Sequence, residues 1–253
     1  MITEPFLLAV IGGALIGLLL TLFGGGGSVL ATPWLIYVVG MADVHAAIGT
    51  SAAAVAVNAA TGLAAQARAG RVKWPCAVVF GISGLAGALL GAHLAKQVDG
   101  AALLTGFAFA MIAIAVSMLL PRKSAGDPDV HLTGPMVLKL APVGLAAGLA
   151  AGFFGIGGGF LIAPGLMAAT GMTLANAGAS SLVSVTLFGT ATSASYAASG
   201  LIAWPLFGAL VLGGAGGTLA AMPLAKKLEQ RVRLARSLFA LMVIAVALFI
   251  LLR

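Results

Sequence analysis

The chain has 253 residues, of which 61% are apolar types and 8% are charged, and its net charge is +7. A soluble domain carries about a quarter charged residues, so there are too few charges here to cover a water-facing surface, and a soluble globular class is excluded. The basic residues lie in short stretches between apolar runs, a pattern of cytoplasmic anchors in a membrane protein rather than a nucleic-acid footprint.

The N-terminus, Met1-Ile2-Thr3-Glu4-Pro5, has no basic region, so no cleaved signal peptide is expected. A membrane-crossing helix needs about 20 apolar residues. The first apolar run, Pro5–Leu22, is broken by Phe23-Gly24-Gly25-Gly26-Gly27-Ser28 and resumes over Val29–Gly40. Full-length runs follow at Ala46–Ala65, Trp74–Ala95 and Gly100–Leu120. The polar stretch Pro121–Pro135 carries charges, Gly and Pro and divides the chain near its middle. Leu140–Phe154 is broken by Gly155-Ile156-Gly157-Gly158-Gly159 and resumes over Phe160–Gly171. The chain ends with Leu174–Ala198, Ala203–Leu224 and Ser237–Leu252. The resumed pieces are about 12 residues, or roughly 18 Å of helix, against a hydrocarbon core of about 30 Å. Each broken region is therefore expected to be a hairpin or broken helix that turns inside the membrane.

From Leu140 to Ala225 there is no Asp, Glu, Lys or Arg. One charge at the bilayer centre costs roughly 2.5–3.5 kcal/mol on insertion scales, so such a stretch belongs in lipid. The single cysteine, Cys76, excludes an internal disulfide.

The halves repeat. Gly17, Phe23, Gly24, Gly26, Gly27, Pro33 and Gly40-Met41 align at one constant offset with Gly148, Phe154, Gly155, Gly157, Gly158, Pro164 and Gly171-Met172. After a one-residue gap, Ser51, Gly70, Trp74-Pro75, Gly84, Gly87 and Leu94-Ala95-Lys96 align with Ser181, Gly200, Trp204-Pro205, Gly214, Gly217 and Leu224-Ala225-Lys226. The domain reading is a first transmembrane repeat at 1–120, a cytoplasmic linker at 121–135 and a second repeat at 136–253. Arg68, Arg71 and Lys73 precede Trp74, whereas Ala198, Leu201 and Ala203 precede Trp204; the next loop reverses the bias, with Lys226, Lys227, Arg231, Arg233 and Arg236 in the second half. The positive-inside rule then puts equivalent loops on opposite sides and both termini outside. The expected fold is an all-α polytopic bundle of two inverted repeats, each with a Gly-broken hairpin, which is the pattern of secondary transporters with a site at the repeat interface.

The glycine tracts are the candidate site. Backbone amides of Gly24, Gly25, Gly26, Gly27 and Ser28, and of Gly155, Gly157, Gly158 and Gly159, would face an anion at the starts of two short helices. The matched hydroxyls of Thr50 and Ser51, and of Ser180 and Ser181, would assist, with Ser28, Asn58 and Ser184 as further polar candidates. The bland alternative is that hydroxyls bond their own helices and that glycines permit close helix packing. Packing is the reading for Gly13/Gly17, Gly87/Gly91, Gly144/Gly148 and Gly213/Gly217. No carboxylate lies deep in any run, which favours an anion over a cation. His45 and His93 are candidates for proton coupling, against a plain interfacial role. Trp34, Trp74 and Trp204 read as interfacial anchors or packing residues. No metal or cofactor is expected. The expected partners are a small anion and membrane lipid, not nucleic acid, with homo-oligomerisation left open. An intramembrane hydrolase needs a nucleophile beside a base, and neither is apparent at matching depth. A channel would share the architecture.

The repeated Phe-Gly-x-Gly-Gly tract, ending in Ser28 in the first half and Gly159 in the second and followed by Pro in both, with Ala47-Ile48-Gly49-Thr50-Ser51 and Arg68-Ala69-Gly70-Arg71-Val72-Lys73-Trp74, resembles the sulfite exporter TauE/SafE family. The resemblance covers nearly the whole chain. It implies movement of sulfur-containing anions, such as sulfite, thiosulfate or organosulfonates, across the cytoplasmic membrane. Two departures are Lys73, where the family often has Asp, and the uninterrupted Gly24–Gly27.

Overall fold

The computed structural model describes residues 3–119, 126–155, 159–228 and 232–252. Those residues form helices and connecting turns. The long helices are α1 (Thr3–Phe23), α3 (Val44–Arg68), α4 (Trp74–Ala95), α5 (Gly100–Leu119), α6 (Gly134–Phe154), α8 (Leu174–Ala197), α9 (Trp204–Leu228) and α10 (Val232–Leu251). The short ones are α2 (Ala31–Pro33) and α7 (Gly159–Thr170). Among the described residues six helices, α1, α3, α4, α6, α8 and α9, are long and apolar enough to cross a membrane. With the family resemblance in the sequence, they make this a multi-pass membrane protein.

Local chemistry sets the helix ends. Asp43 caps α3 by accepting from the amides of His45 and Ala46, and Thr173 caps α8 at the matching place by accepting from Asn176. Turns after helices use Gly40, Gly70, Gly171 and Gly200, all at positive φ, and these are two matched pairs across the repeat.

Both broken regions are hairpins. In the first, Gly24–Leu30 is a 3₁₀ turn, followed by α2 and a π-helical turn, Trp34–Val38. The chain comes back along α1: the Trp34 indole donates to the carbonyl of Leu8 at 2.9 Å. In the second, α6 ends at Gly155 with φ of 66°, and α7 returns beside α6. The sequence reading had short helices opening at Ser28 and Phe160. The second is close, since α7 starts at Gly159. In the first, Ser28 lies inside the 3₁₀ turn Gly24–Leu30, which runs directly on into α2.

Glycines fuse helix pairs. A Cβ on Gly17 would collide with the carbonyl of Gly214, one on Gly213 with Val10, and one on Gly217 with Ala14, so α1 and α9 touch backbone to backbone. Gly87 meets Leu145, Gly91 meets Leu149 and Gly148 meets Gly84 in the same way, joining α4 and α6. Contacts advance in the same direction along both helices of each pair, Gly13 on Leu210 and Gly17 on Gly214, so each pair is parallel. The packing role read for these glycines in the sequence is thus what the structure uses. The two pairs correspond under the repeat, α1 with α6 and α9 with α4.

Between these pairs lie α3 and α8, the most enclosed of the six spans, 72% and 61% buried. Gly62 faces Leu182 while Gly189 faces Ala52 and Ala56, so these equivalent helices run antiparallel. They are also the spans richest in buried polar residues, including Thr50, Ser51, Asn58, Ser180, Ser181, Ser184 and Thr192. Buried polar groups need partners, and those partners define the site.

A buried hydroxyl cluster between the two hairpins

Ser51 joins three elements. Its Oγ lies 2.8 Å from Thr32 Oγ1 of α2, 3.0 Å from the carbonyl of Ile48 one turn back, and 3.5 Å from the carbonyl of Gly155 at the second hairpin. The one Ser51 proton goes to a carbonyl, which leaves Thr32 to donate to Ser51; the Gly155 contact is the longest and weakest of the three. Thr32 and Ser51 are buried, as is Ser28. Gly27, at the first tract, lies against the backbone of Leu19 and Leu20 so closely that a Cβ has no room. Gly155, at positive φ, is closed off by the side chain of Ile48. The 3₁₀ turn of the first hairpin packs on both α7 and α8, so the two hairpins meet. Ser181, the counterpart of Ser51, is buried and donates to the carbonyl of Gly178.

Of the residues singled out in the sequence, Gly27, Ser28, Ser51, Gly155, Gly159 and Ser181 are buried. Gly24, Gly25 and Gly26 lie in the 3₁₀ turn. Gly157 and Gly158 lie outside the described residues. Thr50 and Ser180 do something else. Thr50 Oγ1 accepts from the amide of Ala203 at 2.9 Å, and Ser180 Oγ accepts from the amide of Lys73 at 2.9 Å. Each hydroxyl secures the backbone just before a Trp-Pro helix start in the other half, so both are reciprocal struts at opposite ends of the bundle.

His45 and His93 share the end of the bundle that carries Lys96. His93 is exposed and pairs with Gln97 at 3.1 Å. His45 stacks on Tyr196 with ring centroids 6.5 Å apart, and its Nδ1 is buried without a partner. Neither histidine reaches the hydroxyl cluster through a hydrogen bond. Lys96 Nζ donates to the carbonyl of Ser195 and to Ser199 Oγ and stands 5.9 Å above the Tyr196 ring, tying α4 to the end of α8. At the other end Lys73 Nζ is 3.9 Å from Asp129, and Asn176 donates to the carbonyl of Pro128, so the 68–73 loop and the linker gather there.

Thr32 is absent from the polar residues to which the sequence points, and its counterpart in the second half is Ala163. Asn58 Nδ2 donates to the carbonyl of Leu210 at 3.3 Å and its side chain lies on Gly214, whereas the counterpart pair is Phe188 on Gly84. Among the described residues the buried polar groups are all hydroxyls and one amide, so this interior can bind through neutral hydrogen bonds and small-residue backbone rather than fixed charge.

The sequence matches the family model described as sulfite exporter TauE/SafE over residues 9–250. It is 43% identical over 255 residues to a probable membrane transporter protein of Xylella fastidiosa strain Temecula1, covering 100% of this chain and 97% of the relative. Similarity extends at 31% over 165 residues to a probable membrane transporter protein of Methanocaldococcus jannaschii, covering 62% of this chain and 60% of that one. A probable membrane transporter protein of Bacillus subtilis, YunE, is 26% identical over 235 residues, covering 82% of this chain and 84% of the relative. No solved structure matches.

Proposed function

This chain belongs to the sulfite exporter TauE/SafE family, and from that premise we propose that it is a secondary transporter of a small anion, a sulfur oxyanion or organosulfonate, across the cytoplasmic membrane. The single observation that carries the reading is Ser51, whose hydroxyl meets both Thr32 of one hairpin and Gly155 of the other. A site shared by two halves is what alternating access needs, because movement of one half against the other exposes it to either side.

Neutral donors suit reversible carriage. By turning their protons from the Ile48 carbonyl and from Ser51 to an anion, the Ser51 and Thr32 hydroxyls can replace part of its hydration, while a buried lysine or arginine would hold it by charge. Antiparallel α3 and α8, the reciprocal struts of Thr50 and Ser180, and the matched parallel pairs all support an inverted arrangement of the halves. The positive-inside rule adds the orientation, with the 68–73 loop and the linker in the cytoplasm. Hydrolysis is the poorer reading: the partners of Ser51 are a hydroxyl and carbonyls, and none is a base.

The test is uptake of sulfite, thiosulfate and a short organosulfonate into proteoliposomes, with and without a pH gradient. Saturable flux of one of them supports the proposal, and dependence on the gradient adds a proton to the cycle. Flux that rises without saturation makes the protein a channel. No flux of any, in folded protein, removes the sulfur anion from the account.

A further inference from the structure

The second hairpin carries an apolar groove of about 580 Å³ between α6 and α7, and the repeat shows what fills that place in the first hairpin. At the offset that matches Pro33 with Pro164, Trp34 corresponds to Gly165, Tyr37 to Ala168, Leu15 to Ala146 and Ile16 to Ala147. Four large side chains in one half are thus small in the other, and all four small residues line the groove. One exchange runs the other way, Gly12 to Val143, and it restores only part of the volume. In the first hairpin the Trp34 indole lies directly on Gly12, and Tyr37 is covered edge-on by Phe249 of α10 at 5.3 Å between centroids. There Gly12 and Pro33 are buried; at the groove their counterparts Val143 and Pro164 are half-exposed.

The groove faces out of the bundle, since Pro142, Ala146 and Ala168 on its rim are exposed, and α6 is a membrane-crossing helix. Its lining is entirely of apolar residues and glycine. A hydrated anion gains nothing there, because no side-chain donor meets it. An apolar chain gains the close contacts that Trp34 and Tyr37 supply in the other half. We propose that this groove binds one acyl chain of a membrane lipid, which wedges α7 against α6 as the two aromatic side chains wedge the first hairpin against α1. The inference is independent of the transported substrate.

The test uses the full chain in vesicles of phosphatidylethanolamine and phosphatidylglycerol, doped with a phosphatidylcholine bearing a diazirine within its acyl chain. After irradiation, adducts are mapped by peptide mass spectrometry. The expected result is enrichment at residues 142–147 and 161–168 over α9 around Leu212 and Leu219, which are each 66% exposed on a helix long and apolar enough to cross the membrane. The variant Val143→Gly/Gly165→Trp copies the first hairpin, and in it the enrichment is lost while adducts on α9 persist. Should that pair fail to fold, Ala168→Tyr, at an exposed position, is expected to cut the same adducts. The reverse pair, Gly12→Val/Trp34→Gly, is expected to create new adducts at residues 11–16. Equal labelling of groove and α9, or enrichment that survives groove filling, overturns the proposal. So does protein–protein crosslinking through the groove in place of lipid adducts, which would make it a contact between two copies of the chain.

Discussion

The two hairpins descend from one pattern, Phe-Gly followed by glycines, a short leg and Pro, yet they are built differently. The first is a filled hairpin: 3₁₀, α and π turns in succession, with Trp34 pinned to Leu8 and Gly27 pressed on the backbone of α1. The second is an open hairpin: a left-handed Gly155, a regular α7, and a groove where the aromatic side chains would be. The difference teaches that the glycine tract specifies the reversal, while the side chains after it decide how tightly the returning leg is held. Both hairpins still converge on the hydroxyl of Ser51.

The comparison can be broken most forcefully at Gly27. Gly27→Leu should cost about 3 kcal/mol or more and abolish flux, because the obstacle is main chain and cannot rotate away. Thermal unfolding in detergent measures it, and a near-neutral result would mean the first hairpin is not tightly packed. Next is Ser51→Ala, which leaves buried Thr32 without its hydroxyl partner. A loss of about 1–3 kcal/mol follows, with substrate affinity down by about tenfold if 1.4 kcal/mol of it is expressed in binding. Titration of sulfite against the solubilised variant reads this directly. Thr50→Ala and Ser180→Ala should each cost about 1 kcal/mol, as lost helix caps do. Equal shifts sharpen the equivalence of the halves; a silent variant on one side breaks it. The smallest effect is expected at Gly165→Ala, within about 0.5 kcal/mol, since its Cβ would stand 3.1 Å from a Val143 methyl and 3.4 Å from the Phe80 ring, with no main chain among its nearest neighbours. An effect as large as that of Gly27→Leu would remove the contrast between filled and open hairpins.

Much of this architecture was legible because it is written in local pattern. Trp74–Ala95 was read with the bounds it has, Gly100–Leu120 and Leu174–Ala198 to within one residue, and the packing glycines fell where spacing put them. Apolar run length and glycine spacing depend on neighbours in sequence. The struts were not legible. Thr50 meets Ala203 and Ser180 meets Lys73 across the repeat interface, and a hydroxyl in an apolar helix looks the same whether it faces substrate or a distant amide. Matching hydroxyls in the two halves do share a role, each holding a backbone amide of the other half. Thr32 was hidden for the opposite reason: it bonds Ser51 without a matching hydroxyl in the second half. The groove, too, lies in the residues where the repeat fails, and a search for matches passes over those.

The most direct test of a single site shared by both hairpins is sulfite counterflow into vesicles carrying wild type, Ser51→Thr or Ser51→Ala. The account predicts saturable, trans-stimulated uptake by wild type, partial retention when threonine keeps the hydroxyl, and loss with alanine in protein that remains folded. Undiminished counterflow in the alanine variant would contradict it.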